Sequence, residues 1–378
     1  MARIPGTPLE TLELPEDPPK QTDPCWCRSG IEFGKCHFER HLQPRESPWS
    51  ALKEASRLND AKYCGHPLAS PVTCSGKIVR AHTVQLEGAL STIAVDRHVY
   101  GLAMKDGRLE YGLIGLRKAS TFSGFCSYHD AELFRALETK PFTATKEQLF
   151  LLAYRALSKE VYAKRYAIRT IPLQRRQDKG SDALHQVNVQ SYLYLREQAL
   201  RLGLRDLESA IADYDKALLA RDHDRFSGYL VFTDKTPDLA VSAAMFPEFD
   251  FQANALQSLS SAECLDLLTY TVLPMSSGGV IAFVWDSKSA RSCEKLVASL
   301  DRLPMRELPD ALIRFTYEYF ENCFANPLWW DSLSGVQRER LLARINLAVS
   351  PTDDRTPDCL KDDGLRTARW NVIAKEWF

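Results

Sequence analysis

No stretch of about 18 consecutive apolar residues occurs in this chain, so no transmembrane helix and no membrane partner are expected. An excess of charge of either sign is missing too. Lysine and arginine together number 48 and the acids 49, which leaves a net charge of -1. That balance excludes a globally basic nucleic-acid coat and an acidic tail protein, and any charged surface must be local. Several catalytic signatures are absent: there is no Walker loop, no Gly-x-Gly-x-x-Gly after a strand and no Gly-x-Ser-x-Gly. Ser276-Ser277-Gly278-Gly279 is Gly-rich, but it joins two expected strands and reads as a turn. Met1 to Pro24 carries six prolines and five acidic residues with no basic-then-apolar run, unlike a secretory signal. A cytoplasmic, reducing location is therefore expected.

Apolar residues make up 45% of the 378 and charged residues 26%, as in soluble globular chains, and the length suits two or three domains of roughly 150 residues. Cysteine and histidine are unevenly spread. Six of ten Cys and six of eight His fall within the first 129 residues. A disulfide framework needs export, so clustered Cys and His in a reducing compartment point to zinc. Cys264, Cys293, Cys323 and Cys359 stand apart and read as small buried hydrophobes or surface thiols.

The first cluster is Cys25-Trp26-Cys27 followed by Cys36-His37. Four soft ligands within thirteen residues can close a tetrahedral zinc site with no open position. Gly30 and Gly34 permit the turns, and Phe33 is expected to cover the metal. The stretch Pro24 to His37 closely resembles the SEC-C zinc motif, named from the C-terminal tail of the preprotein translocase ATPase. Trp26 and Arg28 depart from the small or Pro/Gly residues usual there, and neither is a ligand. The resemblance covers these fourteen residues and implies a module that docks a protein or nucleic-acid partner.

Cys64, Cys74, Cys126 and His129 make a second candidate zinc set, with His66 an alternative ligand or a turn residue. One pair comes from a knuckle and the other from the first turn of a helix, the pattern of a treble clef. Between the pairs, Lys77-Ile78-Val79-Arg80-Ala81-His82 places a His after a short strand. That is similar to the HNH nucleases. The resemblance implies His82 as general base, with Asp96, His98 or Asp130 around a catalytic Mg²⁺ or Mn²⁺. The other reading of His82 is a buried residue bonded to backbone, and of Asp130 a residue that orients a zinc-bound imidazole. The match departs at a 43-residue gap from His82 to Cys126 and at a missing middle Asn. Arg80 to Thr83, Asp96 to Tyr100, Ala119 to Cys126 with His129-Asp130, and Pro309 to Phe315 also look like an uncharacterised bacterial family that carries an SEC-C motif. Bacterial defence against foreign DNA is what the nuclease resemblance implies.

Between Leu151 and Gly180 eight basic residues meet two acids, with Tyr154, Tyr162 and Tyr166 interleaved. Arg165, Arg169, Arg175 and Arg176 are the candidate contacts to DNA or RNA, with tyrosines stacking on bases; a solvated helix face is the alternative.

The fold class expected is α+β. A mobile Pro-rich leader spans 1–24, the zinc knuckle 25–42 and a zinc-stabilised HNH-like domain 48–140. A helical hairpin with the basic face spans 145–222, and a C-terminal α+β domain, a second possible partner surface, spans 225–378. Helices are expected over 48–60, from Thr145 to about Arg169, over 187–221, 289–302, 309–324 and 334–348. Leu200, Leu204, Leu207, Ile211, Tyr214 and Leu218 have the spacing of a helix–helix seam. Strands are expected over 99–104 and 109–114 around an Asp-Gly turn, over 229–232 and 240–246, and as the hairpin 268–273 with 280–285. Trp329-Trp330 reads as a core or interface anchor.

Overall fold

The computed structural model describes residues 12–59, 63–105, 108–349 and 354–378. Along the chain these form α1 (Phe33–Cys36), α2 (Pro48–Asn59), β1 (Ile78–His82), α3 (Ser91–Ile93), β2 (His98–Lys105), β3 (Arg108–Gly115), β4 (Thr121–Cys126), α4 (Ser127–Leu133) and α5 (Arg135–Glu138). Two long helices follow, α6 (Lys146–Arg175) and α7 (Ala183–Ala220). The remainder is β5 (Phe226–Thr233), β6 (Leu239–Met245), β7 (Leu268–Pro274), β8 (Gly279–Asp286), α8 (Ala290–Asp301), α9 (Leu308–Tyr319), β9 (Cys323–Ala325), α10 (Pro327–Ser332), α11 (Gly335–Val349) and β10 (Val372–Trp377). The class is α+β, as the mixed periodicities imply. The Asp106-Gly107 turn and residues 1–11 of the leader lie outside the described residues. Leu12, in the expected leader, is buried, and its backbone N–H donates to Ser191 Oγ.

Contacts divide the chain into two compact units, each made of two stretches: Met1–Ala61 with Ala163–Arg205, and Lys62–Tyr162 with Asp206–Phe378. The helices α6 and α7 each contribute residues to both.

In the first unit α6 and α7 run antiparallel. Ile171, Leu193 and Leu200 form their apolar contact, and Arg175 and Gln174 of α6 bond Gln190 and Arg196 of α7. The helix α6 runs past the expected end near Arg169 and through Pro172. Proline removes one donor and disfavours helix before it. Burial of Ile171 and Leu173 on either side offsets that cost.

In the second unit eight strands form one fully antiparallel sheet in the order β10-β5-β8-β7-β6-β9-β2-β3. Alternate residues such as Tyr229, Val231, Val241, Tyr270, Val272, Ile281 and Phe283 pack against α8 to α11. On the opposite side Ala240, Leu273 and Phe324 meet Val84, Leu90, Ile93 and Val99. Both Trp329 and Trp330 belong to the core. The helix expected over 309–324 ends at Tyr319, because Phe320 turns extended and Cys323–Ala325 adds β9 between β6 and β2.

Beside β6, Asp238 has a buried Oδ2 with no hydrogen-bond partner, and burial lifts its pKa to about 6. A carboxyl whose folded pKa is raised binds its proton more tightly when folded. Its contribution therefore worsens as pH rises from about 4 to 6. Asp238→Asn is expected to stabilise the fold at pH 7, on the order of 1 kcal/mol after solvent screening, and to lose that gain below pH 4. Urea unfolding of both chains at the two pH values checks this; an equal gain at both would assign it to something other than ionisation.

Candidate metal centres

The first cluster is built on a tight knuckle. Arg28 and Gly30 have positive φ of 54° and 78°, so the chain doubles back and the Cys25 N–H reaches Ile31 O at 3.0 Å. Gly34 serves a different purpose. It starts no turn; its N–H donates to Gln21 O at 2.8 Å, and a Cβ there would stand 2.7 Å from Gln21 Cβ. The helix α1 is a single turn that presents Cys36 and His37 toward Cys25 and Cys27.

Donor atoms of Cys25, Cys27, Cys36 and His37 all lie within 4.8 Å of one another, and all four residues are buried. His37 Nδ1 is 3.2 Å from the sulfurs of Cys25 and Cys36, and the Cys27 and Cys36 sulfurs are 3.6 Å apart. Ligands about 2.3 Å from one tetrahedral zinc stand roughly 3.7 Å from each other, so three sulfurs and one nitrogen at these separations fit that ion. Trp26 and Phe33 pack against the cysteines, and the Trp26 ring lies 4.5 Å from that of His37. Burial opposes charge on His37, but the Asp178 carboxylate and the Cys27 and Cys36 sulfurs outweigh it and lift its pKa to about 10.

Asp178 is the residue that sequence reasoning missed. It is fully buried 141 positions from His37 and bonds His37 Nε2 at 3.0 Å. A local signal existed only as one acid within a basic run.

The second cluster joins a knuckle to a strand–helix junction. Cys126 caps α4 and accepts the His129 N–H, which turns both side chains inward. The knuckle is tied on by Gly65 N–H to Gly124 O (2.7 Å) and Ser127 N–H to Lys77 O (2.8 Å). His129 Nδ1 lies 3.3 Å from Cys64 Sγ, 3.6 Å from Cys74 Sγ and 3.3 Å from Cys126 Sγ. This second set also fits a tetrahedral metal, although Cys64 and Cys74 are only half-buried. Burial raises the Cys126 thiol, but backbone N–H groups of His129 and Ser75 outweigh that and bring it to about 6. His66 stacks on His129 with centroids 4.1 Å apart, and its Nδ1 accepts the Leu68 N–H. It therefore takes the role of a turn residue. Burial, helped by His129, pushes its pKa down to about 4.

Around the second cluster β1 and β4 pair antiparallel as a separate two-stranded ladder, with His82 opposite Thr121, and α4 follows β4 directly. The expected ion-binding residues do not join His82. Among the described residues, His82, Asp96, His98 and Asp130 form no group of three donors within 4.8 Å. His82 is half-buried, its Nε2 bonds Leu116 O at 3.2 Å, and burial lowers its pKa. Asp96 and Arg97 are the two left-handed residues of a tight turn between Val95 and His98, and His98 Nδ1 bonds Asp96 O at 2.7 Å. Both exposed side chains follow from that turn. Asp130 does not orient His129; its Oδ1 is buried without a hydrogen-bond partner.

The basic segment is largely matched from within. Arg175, only 7% exposed, donates to Cys27 O and Gln190 Oε1 and pairs with Glu197. Arg176 pairs with Glu46 and Glu54, and Lys179 with Glu46. Arg155 is buried against Glu138 and the Phe134 ring. Arg169 Nε donates to the carbonyl of Arg165, a residue that has a further interaction of its own. The tyrosines are packing groups. Tyr154 is fully buried, Tyr162 lies against Phe122 and Tyr63, and Tyr166 donates to Ala55 O. The stacking role expected of them needs exposed ring faces, and burial in the cores of their units removes those of Tyr154 and Tyr162.

None of the described helices is long and apolar enough to cross a membrane. No curated protein and no solved structure matches this chain. The sequence pattern of the SEC-C motif matches residues 22–39, the stretch that carries the whole first cluster.

Proposed function

We propose that this protein is a non-catalytic adaptor whose two zinc centres fix small surfaces for a protein partner. The observation that carries this reading is that each cluster supplies four protein donors to one point. Four ligands close a zinc, leave no position for water or substrate, and make the ion structural. Exposed apolar side chains flank both clusters: Ile31, Phe38 and Leu42 beside the first, Leu68, Val72 and Tyr128 beside the second. Apolar groups held outward by a rigid metal-bound loop suit a protein partner better than a phosphate backbone. The ion pairs that Arg175, Arg176 and Lys179 make internally weigh in the same direction.

A nuclease is the second reading. It is favoured by the β1–β4–α4 arrangement, with His82 at the strand end and Cys126 and His129 at the helix start. In it His82 would be the base and a separate Mg²⁺ or Mn²⁺ would carry charge.

One set of measurements separates the readings. Protein purified without chelator is expected to contain about two zincs per chain. Plasmid DNA and RNA incubated with it and Mg²⁺ or Mn²⁺ are expected to stay intact, and nucleic-acid affinity is expected to show no steep salt dependence. Cleavage by the wild type that His82→Ala abolishes, with zinc content and fold kept, would replace the adaptor by the nuclease. Tight binding that weakens steeply with salt, and is lost on reversing Arg165 and Arg169, would shift the partner to nucleic acid.

A further inference from the structure

We propose that Asp178 is the positioning residue of the first metal centre, which makes the turn between α6 and α7 a working part of that centre; this rests on the cluster's being a zinc site. Both carboxylate oxygens are occupied. Oδ2 accepts from His37 Nε2 at 3.0 Å and Gln190 Nε2 at 2.7 Å, and Oδ1 accepts from Arg40 Nε at 2.5 Å. An ionised carboxylate is acceptor-only, so the His37 proton belongs on Nε2. The lone pair of the neutral ring is then on Nδ1, the atom that faces the sulfurs of Cys25 and Cys36.

The same network grips the knuckle backbone. Arg40 donates through Nη1 to Cys36 O at 2.9 Å and through Nη2 to Arg175 O at 2.6 Å. Arg175 Nη1 donates to Cys27 O at 3.1 Å, and the Gly180 N–H returns to Arg40 O at 3.1 Å. Three of the four ligand residues are therefore held by groups that converge on Asp178 or its neighbours. Charge supports the arrangement. Three thiolates on a divalent zinc leave one net negative charge and Asp178 adds another; the buried Arg40 guanidinium pairs with Asp178, and the buried Arg175 lies between the knuckle carbonyl of Cys27 and Glu197. His129 in the second centre has no carboxylate partner of this kind among the described residues.

The consequence is a latch. Zinc bound at the knuckle holds His37, His37 holds Asp178, and Asp178 holds the turn through Arg40 and Gln190. Loading the first centre thus orders residues 176–182, far along the chain from the ligands.

The full-length protein tests this by zinc competition against a chelator, with the second centre as internal reference. Asp178→Asn keeps the shape but loses the charge. It is expected to weaken one of two zinc sites by about 10–100-fold, to shift the visible absorption of the cobalt(II)-substituted site, and to leave the other site unchanged. Cys25→Ser should remove hydrogen-exchange protection from residues 176–182. In a His37→Cys chain, which needs no imidazole tautomer, Asp178→Asn should carry no such penalty. Wild-type affinity and cobalt spectrum in Asp178→Asn, or equal losses with His and with Cys at position 37, would overturn the proposal. A wild-type chain with no zinc sensitive to Cys25→Ser would instead defeat the reading of the cluster itself.

Discussion

Cys126→Ser is expected to halve the zinc content and to unfold the β1–β4 ladder together with the knuckle and α4. A two-stranded ladder is marginal in water on its own. This one stands outside the eight-stranded sheet and is pinned to a knuckle whose ligands are 55 and 65 residues from His129. Its own apolar support is a small aromatic group of Phe122, Phe125, Phe134 and Tyr162. Structural zinc in isolated fingers contributes on the order of 10 kcal/mol to folding, so loss of one ligand should outweigh that support. Hydrogen exchange is the measurement: amides of 64–82 and 121–134 should lose protection, while β5 to β8 keep theirs. Cys25→Ser should leave both regions protected, because its cluster belongs to the other unit. Retained protection with both zincs still bound would show that the second centre is dispensable.

The second large effect involves no metal ligand. The side chain of Arg355 is buried between Glu248 at 2.8 Å and Glu318 at 3.3 Å, and its guanidinium stands 4.3 Å from the Tyr319 ring centroid. Arg344 reaches Glu318 from another side at 2.8 Å. Burial opposes the charged form of Glu318 more strongly than anything else acting on it, so its pKa is raised even between two arginines. Arg355→Ala would leave two buried carboxylates short of a partner and open a cavity over Tyr319. The expected cost is about 3–5 kcal/mol, read as a lower urea midpoint at an unchanged slope. Adding Glu318→Gln should recover part of it, because one of the stranded charges is then gone. A loss below about 1 kcal/mol would mean that water reaches the network and screens it.

Several elements were legible for local reasons. The hairpin 268–274 with 279–286 has a run rich in apolar and β-branched residues on each side of the Ser276-Ser277-Gly278-Gly279 turn, where Gly278 has a φ of 90°. The pairing of β2 with β3 follows from the Asp-Gly signal between the two strand-like stretches. By contrast, β9 is three residues long and has no period to read, and it exists because β6 and β2 offer it edges. The strand β10 alternates weakly, with Ile373 and Trp377 exposed, and it was missed because its partner β5 begins nearly 150 positions earlier. The basic segment illustrates the same limit. Eight positive charges between Leu151 and Gly180 look like a surface until Glu46, Glu54, Glu138 and Glu197 arrive from elsewhere to match several of them.

By itself the sequence determined the donor chemistry. Cys and His at short spacings can converge on a metal because the turns that bring them together are only a few residues long, and ligand type is written in the side chain. Tertiary structure decided what surrounds those donors. It placed Asp178 on His37 and the Arg175 guanidinium in the interior, and tied the His82 ring to Leu116 O. These outcomes depend on burial and on partners tens to hundreds of residues away, whose free energy appears only once the units have packed.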